Sequence, residues 1–258
     1  MKGSTDRNFI NSFAKGLTLI MGFTKERPRL NLTEVAKANQ MNLVTARRYL
    51  HTLVQMGFVI KDEDTSLFQL TPKVLRLGAW LLQSMSIRER LLPHMNAMTK
   101  SWDVTTHCAV LEGTEVITVE RIRSSDVVNL DLTAGSRLPI YATSLGKAIA
   151  AFLPGDMQRQ LIAKIGIKPL TPYTITAKNE LVKELKQIRT RYYAVADQEL
   201  TVGLKTMAIP IFNQKGAVEA SCGVSYPIMR ASEKGLEAAL KTELLEVMNR
   251  ASLSITKR

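Results

Sequence analysis

Two short helical segments, separated by a brief interruption, constrain the fold of this chain more than any other sequence feature. The first covers residues 31–39, and its N-cap is Asn31 or Thr33, with an acidic residue in the first turn. The second is capped by Asn42, and its apolar periodicity runs over residues 43–56 up to a glycine. The spacing predicts two capped helices joined by a tight turn.

The elements on either side of this pair complete a familiar order. An amphipathic helix is predicted before it, over residues 9–22, and a hairpin after it, with strands at 58–60 and 67–70 and an acidic tip. Ala36 is a small residue at the point where the two helices must approach closely. Three helices followed by a hairpin predict a winged helix-turn-helix.

The turn between the two helices departs from the usual pattern. Such turns often place glycine where Gln40 stands, because the backbone there tends to take a positive φ. Asn39 tolerates that conformation better than most residues, so the sequence leaves open a shift of the turn by one residue.

The second helix of the pair carries most of the side chains that we expect to contact double-stranded DNA. Arginines on an exposed, capped helix can reach phosphates and the acceptor edge of guanine in the major groove. The alternative is an ordinary helical hairpin whose arginines are only solvated. The predicted DNA contacts are Thr33, Asn42, Leu43, Val44, Thr45, Arg47, Arg48, Tyr49, His51 and Lys61.

The charge distribution agrees with a polyanionic partner for the N-terminal part. The chain has a formal net charge of +12, with 12 basic and 6 acidic residues within 1–80 and 23 and 17 in the remainder. The excess of positive charge is therefore denser in the shorter part. A non-specific nucleoid or RNA-binding protein is disfavoured, because the basic residues are dispersed and only 6% of residues are aromatic.

The remainder of the chain alternates between strand and helix patterns, which predicts an α+β fold. Strands are predicted over residues 105–111, 115–122, 127–132, 193–195, 205–212 and 217–225. Helices are predicted over residues 73–85, 144–153, 156–165, 179–191 and 232–255, with another that begins near residue 86. We expect two domains, over residues 1–80 and 81–258, with a linker helix at 72–85.

Many short motifs follow one another in the order typical of one bacterial protein family. They lie at residues 14–17, 32–36, 45–50, 53–57, 68–70, 74–78, 135–139, 142–147, 197–200, 203–204 and 208–210. On these motifs the chain resembles the IclR family of transcription regulators over nearly its whole length. It most resembles the branch that controls protocatechuate, 4-hydroxybenzoate and β-ketoadipate catabolism.

The resemblance implies a winged helix-turn-helix joined to a GAF-like effector domain with a mainly antiparallel sheet. It also implies a homodimer or a tetramer that binds a pseudo-palindromic operator in DNA. The larger domain would then bind the effector and hold the oligomer together. Members of this branch are frequently activators, whereas many relatives repress.

The helix predicted to begin at Ser144 points to the effector site. Free N–H groups and the positive end of the helix dipole can bind a carboxylate there, although Thr143 or Ser144 could also simply cap the helix. The resemblance places a small carboxylate or aromatic-acid effector beside this helix start. Carried over by position, the effector residues are Ser144, Leu145, Gly146, Asp197, Thr206, Cys222, Gly223 and Ser225. Relatives have a polar group where this chain has Ala196, and Cys222 has the alternative of a small buried filler.

Enzymatic chemistry is the competing interpretation of these residues. His51 and His94 have no cysteine or carboxylate at metal-ligand spacing, and residues 143–146 lack the Gly-x-Ser-x-Gly elbow. His107 and Cys108 are neighbours in a predicted strand, so they point to opposite faces. We therefore expect no catalytic residue, no metal site and no cofactor.

The cysteine content and the apolar runs bear on location. The chain has two cysteines, no apolar run of the length that a membrane span needs, and a polar N-terminus. These features predict a cytoplasmic protein without a membrane partner. The expected function is a ligand-responsive transcription regulator of aromatic-acid catabolism. The alternatives are a repressor that responds to another small carboxylate and an enzyme that acts on such a carboxylate.

Overall fold

The computed structural model describes residues 7–125 and 132–253. It divides into two compact units with the boundary between Ser84 and Met85. The strand predicted over residues 127–132, except for its last residue, lies outside the described residues. So does the end of the C-terminal helix predicted to run to residue 255.

The described part of the first unit contains four α-helices and a small antiparallel sheet. The helices are α1 Asn11–Met21, α2 Leu32–Ala38, α3 Leu43–Gln55 and α4 Leu75–Ser84, the last preceded by a 3-10 turn at Pro72–Val74. The strands β1 Arg29–Leu30, β2 Val59–Lys61 and β3 Phe68–Leu70 pair in the order β1-β3-β2. The hairpin of β2 and β3 confirms the predicted wing. Strand β1 was not predicted, because two residues are too few to show an alternating pattern.

The core of the first unit joins the helices of the motif to the wing. Ala46 and Leu50 of α3 are buried in one cluster with Val35 of α2 and Leu19 of α1. Ala46 is fully buried, as a residue must be where two helix backbones approach closely. Val59 of β2 completes the cluster, so the hairpin packs on the same core as the three helices.

The turn between α2 and α3 has its left-handed residue at Gln40. The φ angle is 51° at Gln40 and −100° at Asn39, so the shift by one residue that the sequence left open does not occur. Asn39 instead ends α2, because its side-chain amide donates to the Val35 carbonyl at 3.0 Å. The Met41 N–H then donates to the Ala36 carbonyl at 3.0 Å, which directs the chain into α3.

The second unit is an antiparallel sheet with helices packed on it. Within the described residues its strands are β4 Thr105–Glu112, β5 Glu115–Ile122, β6 Arg137–Pro139, β7 Ala194–Asp197, β8 Leu204–Phe212 and β9 Val218–Pro227. They pair in the order β6-β5-β4-β9-β8-β7, and each of these pairs is antiparallel. The helices are α5 Ser86–Trp102, α6 Ser144–Phe152, α7 Gly155–Lys164, α8 Lys178–Arg191 and α9 Leu236–Ala251. The predicted α+β class with a mainly antiparallel sheet is confirmed.

The side chains of β4 point alternately to the two faces of the sheet, which shows what packs on each face. The Thr106 hydroxyl donates to the Met95 carbonyl of α5 at 3.3 Å, so this face lies against α5. His107 points to the opposite face, where its ring bonds to Ser225 of β9 at 2.8 Å. Helix α6 packs against β8 and β9 on the His107 face and is buried over most of its surface.

In the second unit one helix begins later than predicted, and one short strand was not predicted. Helix α9 begins at Leu236 rather than at residue 232, because Gly235 has φ 85° and Ile228–Ser232 form a separate 3-10 turn. Strand β6 has only three residues and was not predicted. Among the described residues no helix has the length and apolar character to cross a bilayer.

Candidate functional site

Helix α3 buries one face and presents the other to solvent. The Asn42 side chain accepts a hydrogen bond from the Thr45 backbone N–H at 2.8 Å, which caps the helix as predicted. Ala46, Leu50 and Leu53 are buried on the inner face. The cap and this buried stripe determine which side chains of α3 point outward.

The outward face of α3 is basic. Val44, Arg47, Arg48 and His51 are exposed, and α3 contains no Asp or Glu. The guanidinium groups of Arg47 and Arg48 form no ion pair within the part of the chain that the structure describes. They project about 100° apart around the helix, so one can meet a base edge while the other meets a phosphate.

Five more of the predicted DNA contacts belong to α2, α3 and the N-cap of α3. Four lie near the N-terminal ends of α2 and α3, where Thr45 alone is partly buried: Thr33, Asn42, Leu43 and Thr45. Tyr49 is half-buried and packs beside Gly16 of α1, whose Cβ position would lie 3.7 Å from its ring. Tyr49 therefore lies on the side of α3 away from Arg47 and packs toward α1, and its role as a DNA contact stays a prediction.

The wing, formed by the β2–β3 hairpin, is acidic at its tip. Asp62, Glu63 and Asp64 are exposed. The Thr65 backbone N–H donates to Asp62 at 2.9 Å and holds the pKa of that carboxyl below its ordinary value, so the group stays charged. Lys61, predicted to contact DNA, pairs with Glu63 at 3.0 Å. The tip therefore repels phosphates, and α3 is the basic surface of the motif.

Arg29 is a basic residue beside the wing that was not predicted as a contact. It is exposed on β1, which pairs with β3, and its Nε donates to Gln69 Oε1 at 2.9 Å. These two residues are 40 positions apart in sequence, so no local pattern marks their pairing. The only available signal was the basic run at residues 25–29.

A narrow cavity lies in the second unit between the start of α6 and the sheet. Its walls enclose about 480 Å³ with the mouth included, of which about 30 Å³ is open to the centre of a water molecule. Most of the wall is apolar, from Leu132, Leu138, Ala142, Leu145, Ala196, Leu200, Leu204 and Val224. The polar side chains of the wall are His107, Thr143, Ser144, Glu199, Thr201, Thr206 and Ser225, and Gly223 contributes backbone.

The start of α6 is prepared to bind an anion. The Thr143 hydroxyl accepts from the Gly146 N–H and donates to the Pro139 carbonyl, both at 3.1 Å. The N–H groups of Ser144 and Leu145 precede the first N–H that the helix itself bonds, so they remain donors at the cavity wall. The positive end of the helix dipole adds to their attraction for a carboxylate.

A buried ion pair stands one turn into the same helix. The Lys147 ammonium, whose side chain is 1% exposed, donates to Glu199 Oε1 at 2.5 Å and to the Val195 carbonyl at 2.7 Å. The second oxygen of Glu199, Oε2, is buried and has no hydrogen-bond partner among the described residues. Burial raises the pKa of Glu199, and the Lys147 charge opposes this rise.

His107 lies on the sheet side of the cavity as a neutral ring. Burial, with a smaller contribution from the Arg121 charge, lowers the pKa of His107 to about 3. Its Nε2 bonds to the Ser225 hydroxyl at 2.8 Å, whereas its Nδ1 has no partner among the described residues. His107 and Glu199 were not predicted as effector contacts, because nothing local in the sequence shows that they share a cavity.

Five of the predicted effector residues line the cavity: Ser144, Leu145, Thr206, Gly223 and Ser225. Gly146 does not line the cavity, because a Cβ at this position would lie 2.4 Å from the Ile140 carbonyl oxygen. The Cβ position of Gly146 therefore faces the turn before α6 rather than the ligand space. Asp197 is exposed and forms an ion pair with Lys205 at 3.4 Å, so it too lies outside the cavity wall.

Cys222 is the third predicted effector residue that the cavity excludes. It lies opposite Cys108 across the β4–β9 pair, and the two residues alternate with His107 and Gly223, which line the cavity. Their side chains therefore point to the other face of the sheet, so the geometry favours the alternative of a small buried filler for Cys222 over an effector contact. Burial raises the pKa of Cys222 to about 12, so it is a protonated, packed thiol.

Two family models match the two units of this chain. The IclR helix-turn-helix domain matches residues 12–63, and the C-terminal domain of the bacterial transcriptional regulator IclR matches residues 79–253. The second match contains the whole cavity wall. Together the two matches include both surfaces described above.

Curated relatives and a solved structure agree with these matches. The Pca regulon regulatory protein of Pseudomonas putida is 30% identical, covering 90% of this chain and 79% of that protein. The p-hydroxybenzoate hydroxylase transcriptional activator of Acinetobacter baylyi is 34% identical, covering 83% of this chain and 80% of that protein. A transcriptional regulator from Rhodococcus sp. RHA1 is 35% identical, with a TM-score of 0.81 over 94% of this chain and 97% of its own.

Proposed function

The chain belongs to the IclR family of bacterial transcriptional regulators, and we propose that it controls genes of aromatic-acid catabolism in response to an aromatic carboxylate bound beside α6. One observation carries the proposal. The buried start of α6 offers the N–H groups of Ser144 and Leu145 to a cavity whose other walls are mainly apolar. The N–H groups suit a carboxylate and the apolar walls suit a ring.

The two curated relatives support an aromatic acid in particular. One is named for the Pca regulon and the other for activation of p-hydroxybenzoate hydroxylase. Their similarity to this chain covers 90% and 83% of it, so it includes most of the unit that holds the cavity. The effector contacts that we propose are Ser144, Leu145, Thr206, Gly223 and Ser225.

The size of the cavity favours a small effector. The centre of a water molecule can reach only about 30 Å³ of the cavity, which is roughly the volume of two water-sized spheres. Even a one-ring acid must therefore displace wall side chains. Leucines at 132, 138, 145, 200 and 204 form much of that wall and can change rotamer. A one-ring acid therefore fits better than a larger ligand.

For the DNA surface we propose that Arg47, Arg48 and His51 contact the operator from α3, with Val44 against the bases. A homodimer or a tetramer would present two copies of α3 to a pseudo-palindromic operator in the cytoplasm. The exposed apolar side chains of α4, with Leu75 and Trp80 each 72% exposed, support self-association.

Calorimetry with 4-hydroxybenzoate on the full chain tests the effector site. Ser144→Glu places a negative charge at the anion site, so we expect its affinity to fall at least about tenfold by like-charge repulsion. Ser144→Ala keeps the backbone donors and should retain binding. Operator affinity without effector should be the same in all three proteins, because α3, which we propose to contact the operator, belongs to the other unit.

Ser86→Glu is the matched control, since Ser86 is exposed at the first position of α5 and does not line the cavity. It should bind effector as the wild type does. A Ser144→Glu protein that is folded by circular dichroism and binds with wild-type affinity would show that the anion site lies elsewhere. Screening dicarboxylates in parallel distinguishes a regulator of another small carboxylate.

A further inference from the structure

The cavity contains two buried polar atoms that no described residue satisfies. They are Oε2 of Glu199 and Nδ1 of His107, two residues that both line the cavity. Glu199 is 7% exposed and His107 is 6% exposed, so solvent does not replace the missing partners. Buried polar groups are rarely left unpaired in proteins. An unpaired acceptor at a ligand cavity indicates a donor that the ligand supplies.

The charge state of Glu199 determines what kind of group can meet Oε2. Lys147 is buried, and its ammonium bonds to Glu199 Oε1 and to the Val195 carbonyl. A buried ammonium needs a counter-charge, and Glu199 is the carboxylate that provides it. An ionised carboxylate accepts hydrogen bonds and donates none, so Oε2 needs a donor.

The carboxylate of the effector cannot be that donor, and it does not belong beside Glu199. His107 is a neutral ring because burial lowers its pKa to about 3, so it offers no positive charge to an anion. The effector carboxylate is therefore placed at the N–H groups of Ser144 and Leu145. A second polar group on the same molecule must then reach Glu199.

We propose that Glu199 selects an effector that carries a hydroxyl group in addition to its carboxylate, by accepting a hydrogen bond from that hydroxyl. The proposal rests on the function proposed above, since it needs an acid bound beside α6. It assigns Glu199 a specificity role separate from its ion pair with Lys147. The free nitrogen of His107 is open to a polar group on the same ligand.

A series of para-substituted benzoates tests the proposal on the unmodified protein. In 4-hydroxybenzoate and 4-aminobenzoate the substituent can donate a hydrogen bond, whereas in benzoate and 4-fluorobenzoate it cannot. We expect the two donors to bind at least about tenfold more tightly in calorimetry, because only they satisfy Glu199. Equal affinities for all four acids would overturn the role of Glu199 and leave the proposed function standing. Binding of none of them would overturn the proposed function itself.

A double variant locates the effect at Glu199. Lys147→Met/Glu199→Leu replaces the buried ion pair with apolar side chains, a change that proteins often tolerate. In this variant we expect the advantage of 4-hydroxybenzoate over 4-fluorobenzoate to disappear. Arg88→Met/Glu120→Leu is the matched control, because it removes an ion pair of 2.7 Å between α5 and β5 that does not line the cavity. Full discrimination retained by the cavity variant would overturn the proposal.

Discussion

At the scale of single residues, Arg47 and Arg48 differ from many other arginines of this chain. Arg88, Arg90 and Arg137 each form an ion pair with a glutamate. Arg47 and Arg48 have no such partner among the described residues, and they stand on a helix without carboxylates. Their charges are therefore available to phosphates or to guanine.

We expect Arg47→Ala/Arg48→Ala to weaken operator binding by at least about 1–3 kcal/mol. Replacing the arginine that reads a base should weaken binding to the operator more than binding to random DNA. Replacing the arginine that contacts a phosphate should weaken binding to both DNAs equally and reduce the slope of log affinity against log salt concentration by about 1. Fluorescence anisotropy at several salt concentrations measures these effects, with an operator selected from a random DNA library.

Arg189→Ala is the control for that experiment, because Arg189 is exposed on α8, in the other unit. It should leave operator affinity and the salt slope unchanged. If the double alanine variant of α3 bound the operator as the wild type does, α3 would not be the helix that contacts the operator.

At the scale of elements, α6 is positioned by a close backbone contact. A Cβ at Gly146 would lie 2.4 Å from the Ile140 carbonyl oxygen and 2.5 Å from its Cα. Only glycine therefore lets α6 approach the turn that precedes it. The same approach sets Ser144 and Leu145 at the cavity wall, so packing and ligand binding share one cause.

We expect Gly146→Ala to lower the free energy of unfolding by about 1–3 kcal/mol, because the added methyl group overlaps backbone atoms that cannot move independently. Gly78→Ala is the control: Gly78 lies within α4 with no atom within 4 Å of its Cβ position, and alanine should stabilise that helix by about 1 kcal/mol. Urea unfolding followed by circular dichroism measures both. Wild-type stability of Gly146→Ala, combined with lost effector binding, would instead place Gly146 in the cavity.

At the scale of the whole molecule, the buried ring of His107 ties the stability of the second unit to pH. The pKa of His107 is about 3 in the folded protein and near 6.5 in the unfolded chain. Between these values the unfolded chain binds a proton that the folded protein excludes. Above pH 6.5 both states are neutral and the effect vanishes.

The free energy of unfolding should therefore decrease as the pH falls below 6.5, by at most about 1.4 kcal/mol per pH unit from this group. Urea unfolding at pH 7, 6 and 5 in a Trp80→Phe background measures it, because Trp102 then reports on the second unit alone. His107→Gln should flatten the dependence, and His51→Gln, at an exposed site on α3, should not. If the free energy of unfolding changed equally with pH in wild type and His107→Gln, His107 would bind its proton in the folded protein as well.

The sequence by itself determined the local features of this protein. The cap at Asn42, the buried stripe of α3 and the wing were predicted because each depends on residues within one or two turns or one hairpin. The start of α6 and the antiparallel β8–β9 hairpin were predicted for the same reason. The family also followed from short motifs, which are local by nature, and the family matches confirm it.

Only the tertiary structure decided which side chains share the ligand cavity. The Lys147–Glu199 pair joins residues 52 positions apart, and the His107–Ser225 bond joins residues 118 apart. Cys222 and Gly146 were predicted at the site but do not line the cavity. The alternation of side chains along β9 points Cys222 to the other face of the sheet, and the Ile140 backbone occupies the space beside Gly146. A cavity forms where distant strands and a helix meet. Its chemistry therefore depends on strand register and packing distances, which short-range sequence patterns do not encode.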